Sequence, residues 1–284
     1  MQDCYSLKES LSLLKEYTLL QEEFNLLRLV IVNHAIDGLY ASAQDIREMV
    51  DIVRTPSVLQ AVITRRLEAF MQNQKLQNYL LILQPLFCAK DNSFTQDLLR
   101  TCTFQVSSLI ELQQKEKALT LKRELAFRMQ PVVADFSYQY LKQIHFALFR
   151  DVYHWAGKDR YEMDLLGQFG KGDDVFCMGS LLPKEAVVLF GILKNDDFFK
   201  DSNQEEFIRK ITFFAADLYA LHPFREGNGR VFRIFLSELV EFCGYRLEWS
   251  TESTRLISSA FSAAHQGDCQ KLENLLKKQL KKEG

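Results

Sequence analysis

His222-Pro223-Phe224-Arg225-Glu226-Gly227-Asn228-Gly229-Arg230, followed by Arg233, is the stretch that organises the chain. Beyond it Phe232, Phe235, Leu236 and Leu239 recur at helical spacing, so a helix begins at the Gly-Asn-Gly turn and buries one face. The first N–H groups of a helix lack partners inside it, and the helix dipole adds positive potential there. Gly227, Asn228 and Gly229 are therefore a candidate anion cradle. Arg230 and Arg233 fall on one face of the new helix, placed to clamp phosphate oxygens with their planar forks. Glu226 offers a hard oxygen ligand suited to Mg²⁺. His222 ends the preceding helix, and a histidine is the usual general base toward a hydroxyl nucleophile. Singly, each has an ordinary reading: a chain reversal, surface arginines, a dipole-favoured acid, an inert loop histidine. Together they specify a site that handles a phosphate ester.

The rest of the chain bounds what surrounds that site. Its 284 residues are 47% hydrophobic and 25% charged, enough for one large core or two modest ones. A formal charge of −2 provides no general basic field for nucleic acid, so a nucleotide must be held by local groups. The six cysteines show no CxxC spacing and read as reduced thiols. Apolar stretches such as Leu26 to Ile36 are interrupted or too short to span a bilayer. With no basic and apolar leader, a cytoplasmic location without a membrane role is the expectation, a secreted effector is not excluded, and a homo-oligomer is left open.

Periodicity predicts an amphipathic helix over Tyr5 to Asp37 stopped by Gly38, then helices over Ala43 to Val53 with Ser42 as N-cap and Ser57 to Gln72. Asn73 to Thr103 gives no firm boundary. Helices follow over Gln105 to Arg128 and Asp135 to Tyr153. Four glycines between Tyr161 and Gly179 mark a hairpin or flap. Helices then cover Pro183 to Lys194, Gln204 to Leu221, Asn228 to Cys243, Ser253 to His265 and about Asp268 to Lys282. The fold class is mainly α with one β-hairpin.

The opening stretch resembles, at every defined position, the Fic signature His-x-Phe-x-(Asp/Glu)-Gly-Asn-Gly-Arg-x-x-Arg. Ile144-His145-Phe146-Ala147-Leu148-Phe149-Arg150-Asp151-Val152-Tyr153-His154-Trp155-Ala156-Gly157-Lys158-Asp159-Arg160 is similar to a second segment of that family, and residues 72 to 265 look like a Fic core. The resemblance implies a Fic-type helical bundle with a β-hairpin flap that transfers AMP from ATP, with Mg²⁺, to a Ser, Thr or Tyr hydroxyl of a target protein. It implies His222 as base, Glu226 as magnesium ligand, Gly227, Asn228 and Gly229 as the α-phosphate hole, and Arg230 and Arg233 at the β- and γ-phosphates. The segment holding Lys171, Gly172 and Phe176 resembles the flap that registers the target by strand pairing. Gly229 stands where a phosphorylating branch has lysine, which favours nucleotide transfer; UMP or phosphocholine transfer, AMP removal and non-catalytic nucleotide binding are the alternatives.

Many Fic proteins carry an inhibitory helix with (Ser/Thr)-x-x-x-Glu-(Gly/Asn). Asn33-His34-Ala35-Ile36-Asp37-Gly38 is similar to it, with Asn33 for Ser/Thr and the shorter Asp37 for glutamate. Ala35 to Glu68 resembles the small antitoxin subunits of the toxin-antitoxin branch. The expectation is an inhibitory N-terminal helical unit over residues 1–70, a catalytic domain over 72–284, and an ion pair between Asp37 and Arg233. Ser12 to Glu16 is a competing match, and Asp37 looks short for positioning water in AMP removal.

Overall fold

A computed structural model describes residues 6–81, 98–132, 135–171, 174–249 and 254–282. In chain order the helices and strands are α1 (Leu7–Leu14), α2 (Gln21–Ile36), α3 (Ala43–Arg54), α4 (Leu59–Leu81), α5 (Leu109–Arg128), α6 (Tyr138–Phe149), β1 (Phe169–Lys171), β2 (Asp174–Phe176), α7 (Leu182–Asn195), α8 (Gln204–Leu221), α9 (Asn228–Phe242), β3 (Tyr245–Leu247), α10 (Thr254–His265), α11 (Cys269–Gln279) and β4 (Leu280–Lys282). Short polar side chains set several starts: Ser6, Ser108 and Asn203 cap α1, α5 and α8, and Ser42 with Asp45 closes a capping box on α3. No described helix is long and apolar enough to cross a membrane.

The mainly α expectation holds, with three local differences. The single helix expected over Tyr5 to Asp37 is two: α1 tightens into i→i−3 turns, with the Lys15, Glu16 and Tyr17 N–H groups donating to the Ser12, Leu13 and Leu14 carbonyls, the Thr18 carbonyl accepts from the Arg54 guanidinium at 2.7 Å, and the chain restarts where Leu20 N–H donates to Glu23. α4 runs on to Leu81, past the expected end at Gln72. The last helix stops at Gln279, because Leu280–Lys282 pairs antiparallel with Tyr245–Leu247, burying Leu247 and Leu280. Most of the uncertain Asn73 to Thr103 stretch lies outside the described residues. Cys102, Cys177, Cys243 and Cys269 are free thiols, while Cys4 and Cys88 lie outside the description.

The chain gathers into two units: Met1–His34, Leu39–Gln130 and Ala147–Ala156 form one, and Ala35–Gly38, Pro131–Phe146 and Gly157–Gly284 the other. In the first unit α5 is buried without interruption from Ala118 to Leu125, so its polar side chains must find partners inside the protein. Lys122 pairs with Asp45 at 2.5 Å and with Glu48 at 3.2 Å, Arg123 with Asp151, and Glu124 with Arg128. Tyr153 donates to Glu116. In the second unit the rings of Phe136, Tyr140, Phe190 and Phe214 gather on Phe235 of α9 with centroids 5.7–6.3 Å away, mostly tilted or edge-on. α9 begins at the Gly-Asn-Gly turn, so this aromatic core fixes the helix that carries the turn.

Burial alone would raise the Asp45 carboxyl, but Lys122, then Lys117 and Arg66, hold it well below the usual carboxylate range. Its contribution is present above the ordinary aspartate value and is lost as pH falls below it. Removing one partner strands a buried cation. Asp45→Asn should therefore lose about 3–5 kcal/mol in urea unfolding at pH 7, with less difference from the parent at pH 3.

Candidate phosphate-handling site

α8 ends at Leu221 because the residue before a proline is pushed out of the helical region. His222 closes the helix in the left-handed region at φ 41° and ψ 59°, which costs a non-glycine residue about 1–3 kcal/mol unless its surroundings hold it. The carbonyls of the loop show what holds it. Arg160 donates from Nε to His222 O at 3.0 Å, from Nη2 to Leu221 O at 3.3 Å, and from its backbone N–H to Pro223 O at 2.8 Å. Asn228 clasps Phe224 on both sides, accepting from its N–H at 2.9 Å and donating to its carbonyl at 2.6 Å. His145 reaches Glu226 O at 3.1 Å and stacks on the Phe224 ring at 4.1 Å. A loop with five carbonyls assigned to donors has little freedom to wander.

Two imidazoles have tautomers fixed by these partners. The Gly157 N–H donates to His145 Nδ1 at 2.9 Å, so Nε2 carries the proton that goes to Glu226 O. Burial, with a smaller push from the Arg230 cation, drives the His145 pKa down to about 3. On His222, Nδ1 lies 3.3 Å from the Tyr219 carbonyl, which only accepts; the neutral ring then has its proton-accepting lone pair on Nε2. Phe176 of β2 stacks on this ring at 3.7 Å and 11°.

Gly227 caps α9 at φ 82°, a conformation that favours glycine, and its N–H donates to Glu226 Oε1 at 2.8 Å. At Gly229 a Cβ would come within 2.9 Å of Arg233 Nη1 and 3.3 Å of Asp37 Oδ1, so a side chain there would displace the ends of both side chains. The side chains of Arg230 and Arg233 are 3% and 6% exposed, and both turn to one carboxylate. Asp37 Oδ2 lies 2.9 Å from Arg233 Nη2 and 3.2 Å from Arg230 Nε. Glu226 Oε1 stands 3.8 Å from Arg230 Nη2. Asp37 itself follows the last residue of α2, ahead of Gly38 at φ 78°; Gly38 N–H donates to Ala35 O and Leu39 N–H to His34 O, a Schellman closure that sets where the carboxylate emerges.

The structure thus brings together His222, Glu226, Gly227, Asn228, Gly229, Arg230, Arg233 and Asp37. The Asn228 side chain serves the loop, so any part in an anion cradle falls to its backbone. Asn33 is placed on α2, where its amide donates to both Glu124 oxygens at 2.9 and 2.8 Å. Phe176 faces the His222 ring, Lys171 ends β1, and Gly172 lies outside the described residues. Sequence reasoning assigned no role to His145, Gly157 or Arg160. The signal was their grouping in the Ile144 to Arg160 segment.

A helix N-terminus backed by two buried guanidinium groups, with a base-ready histidine in the loop before it and a hairpin over that histidine, defines a helical protein built to receive an anion. The chain belongs to the Fic/DOC family. Residues 135–240 match the family model. Over 135 residues the chain is 33% identical to the probable protein adenylyltransferase y4lH of Sinorhizobium fredii, covering 47% of this chain and 68% of that protein. It is 27% identical to the probable protein adenylyltransferase Fic of Escherichia coli, covering 61% and 83% respectively. The BepC effector of Bartonella tribocorum, solved with bound AMPPNP, shares the fold at a TM-score of 0.58 and 23% identity, covering 68% of this chain and all of that one.

Because His145 takes up a proton near pH 6.5 unfolded but only near 3 folded, folding favours its neutral form, and that stabilisation fades as pH falls from about 6.5 toward 3. His145→Gln should show a shallower loss of unfolding free energy between pH 7 and pH 4 than the parent, by on the order of a few kcal/mol. Parallel urea titrations at the two pH values check it.

Proposed function

We propose that the chain is a protein adenylyltransferase that moves AMP from ATP to a hydroxyl of a target protein and is held back by its own N-terminal helix. The observation that carries this reading is the convergence of a base-ready His222, the glycine cradle and two buried arginines on one loop and helix start. Relatives named as protein adenylyltransferases support it, as does the AMPPNP bound to BepC.

In the proposed step, the target hydroxyl gives its proton to His222 Nε2 while its oxygen bonds to the α-phosphorus. The bond from that phosphorus to the bridging oxygen breaks, and pyrophosphate leaves. The N–H groups at Asn228 and Gly229, and that of Gly227 once Glu226 turns away from it, receive the α-phosphate oxygens, and Arg230 and Arg233 bind the β- and γ-phosphates. The Glu226 carboxylate, 39% exposed beside the cradle, fits a Mg²⁺ site built from one protein carboxylate plus phosphate and water oxygens. When bound, that ion would neutralise phosphate charge.

Asp37 occupies the arginines that the γ-phosphate needs, so it acts as the built-in inhibitor of residues 1–70 on the catalytic domain of residues 72–284. With labelled ATP, Asp37→Gly should raise AMP incorporation by about tenfold for each 1.4 kcal/mol of competition removed. Arg233→Ala and His222→Ala should each lower it by on the order of 10²-fold or more. No rise in Asp37→Gly sinks the inhibitory role, and undiminished transfer by His222→Ala sinks the base.

The flap also suggests how a target enters. On β2, Val175 O accepts from His265 at 2.8 Å, and directly after it Cys177 N–H donates to Ala220 O while Cys177 O accepts from Arg160. With that edge engaged, an extended target chain pairs along β1, where Gly170, opposite Val175, turns its N–H and carbonyl outward. Gly170→Pro, which removes the N–H, should cut target labelling at least tenfold relative to Gly170→Ala, which adds a Cβ but keeps it. Equal labelling by the two variants places the target elsewhere.

A further inference from the structure

Arg160 has no place in the transfer step above, yet it is fully buried and lies beside the base. Its guanidinium donates to the carbonyls of Leu221 and His222, flanking the left-handed residue. The same Nη2 donates to Cys177 O at 2.6 Å, directly after β2, and the guanidinium carbon lies 4.7 Å from the centroid of the Phe169 ring on β1. Its Nη1 has no hydrogen-bond partner among the described residues. A group chosen only to fill the space would not strand a buried donor, which is costly. What the planar fork provides is reach to three carbonyls on two elements at once, beyond a lysine's single ammonium point.

We propose that Arg160 is a positioning residue that couples the flap to the base. It holds His222 in the left-handed conformation that gives Nδ1 to the Tyr219 carbonyl, and it ties that conformation to both flap strands, whose Phe176 lies on the imidazole. A target seated on the flap is thereby delivered to a base already in its reactive tautomer. This rests on the AMP-transfer reading.

The test uses the full chain carrying Asp37→Gly, with and without Arg160→Lys. Three quantities are measured: AMP incorporation from labelled ATP into the chain and into added bacterial lysate proteins, AMPPNP affinity by calorimetry, and the His222 tautomer from the ¹⁵N shifts of its ring. With Arg160→Lys, incorporation should fall at least 30-fold, AMPPNP affinity should stay within threefold, and the single Nδ1–H tautomer should give way to a mixture. Incorporation within threefold of the parent, an unchanged tautomer, or an equal loss of AMPPNP affinity overturns the proposal. Phe169→Leu, on the partly exposed flap strand, keeps the test open if Arg160→Lys does not fold. It should lower incorporation and mix the tautomers in the same direction, and a parent-like tautomer and rate overturn the coupling. If the parent itself incorporates no label, the AMP-transfer reading fails, while the ring shifts still judge Arg160.

Discussion

Two guanidinium groups stand one turn apart on α9, each almost wholly removed from water, and neither can lose its proton. Such a pair repels itself and has given up most of its hydration, so the fold tolerates it only with an anion between the two forks. Asp37 is that anion here. In the proposed function, the same pair would be neutralised instead by phosphate oxygens from outside. Gly229 belongs to the same constraint, since any side chain there would press on Arg233 and Asp37 together. In the proposed reading, the Asp37 contact and the phosphate clamp would be one electrostatic requirement met by alternative ligands.

The second constraint is geometric. His222 occupies a backbone conformation that it would not hold alone, and the loop around it is fixed carbonyl by carbonyl from Arg160, Asn228 and His145. Two of these three come from the Ile144 to Arg160 segment and the third from α9, so the loop is held from both sides. His145 can do this because it is neutral: protonation would put a hydrogen on the Nδ1 that receives the Gly157 N–H. Its deep burial therefore has a function in keeping a donor and an acceptor on opposite sides of one ring.

Much of this was legible before the structure. The glycine turn, the arginine spacing and the apolar face of α9 are local patterns, and local patterns survive in a sequence. Asp37 could be read because Asn33 to Gly38 resembles the family's inhibitory motif, and an acid ahead of a helix-stopping glycine, unfavourable toward the dipole, added a weaker reason to seek a cation. The break between α1 and α2 could not, because its tight closing turns at Lys15 to Tyr17 fall within an otherwise continuous helical pattern. β4 was hidden for the same reason: its partner is Tyr245–Leu247, and the Leu280 to Lys282 stretch continues a helical pattern until that pairing is known. The carbonyl partners of the His222 loop were invisible because main-chain acceptors leave no mark in a sequence. Only the donors do, and a buried arginine looks like any other.

The shorter inhibitory acid can be judged by its surroundings. A glutamate has an extra methylene with which to reach a clamp arginine, whereas Asp37 depends on the backbone arriving at the right place. The Schellman closure at Gly38 fixes the direction in which α2 ends, and Gly229 removes the Cβ that would stand within 3.3 Å of the Asp37 carboxylate. With both in place the aspartate reaches Arg233 at 2.9 Å and Arg230 at 3.2 Å with the same oxygen. Its side chain is still 31% exposed, so the pair is screened on one face and is worth less than a fully buried one. A partly screened carboxylate thus neutralises two buried cations while keeping one face in water, the balance that the proposed exchange with a polyanion would need.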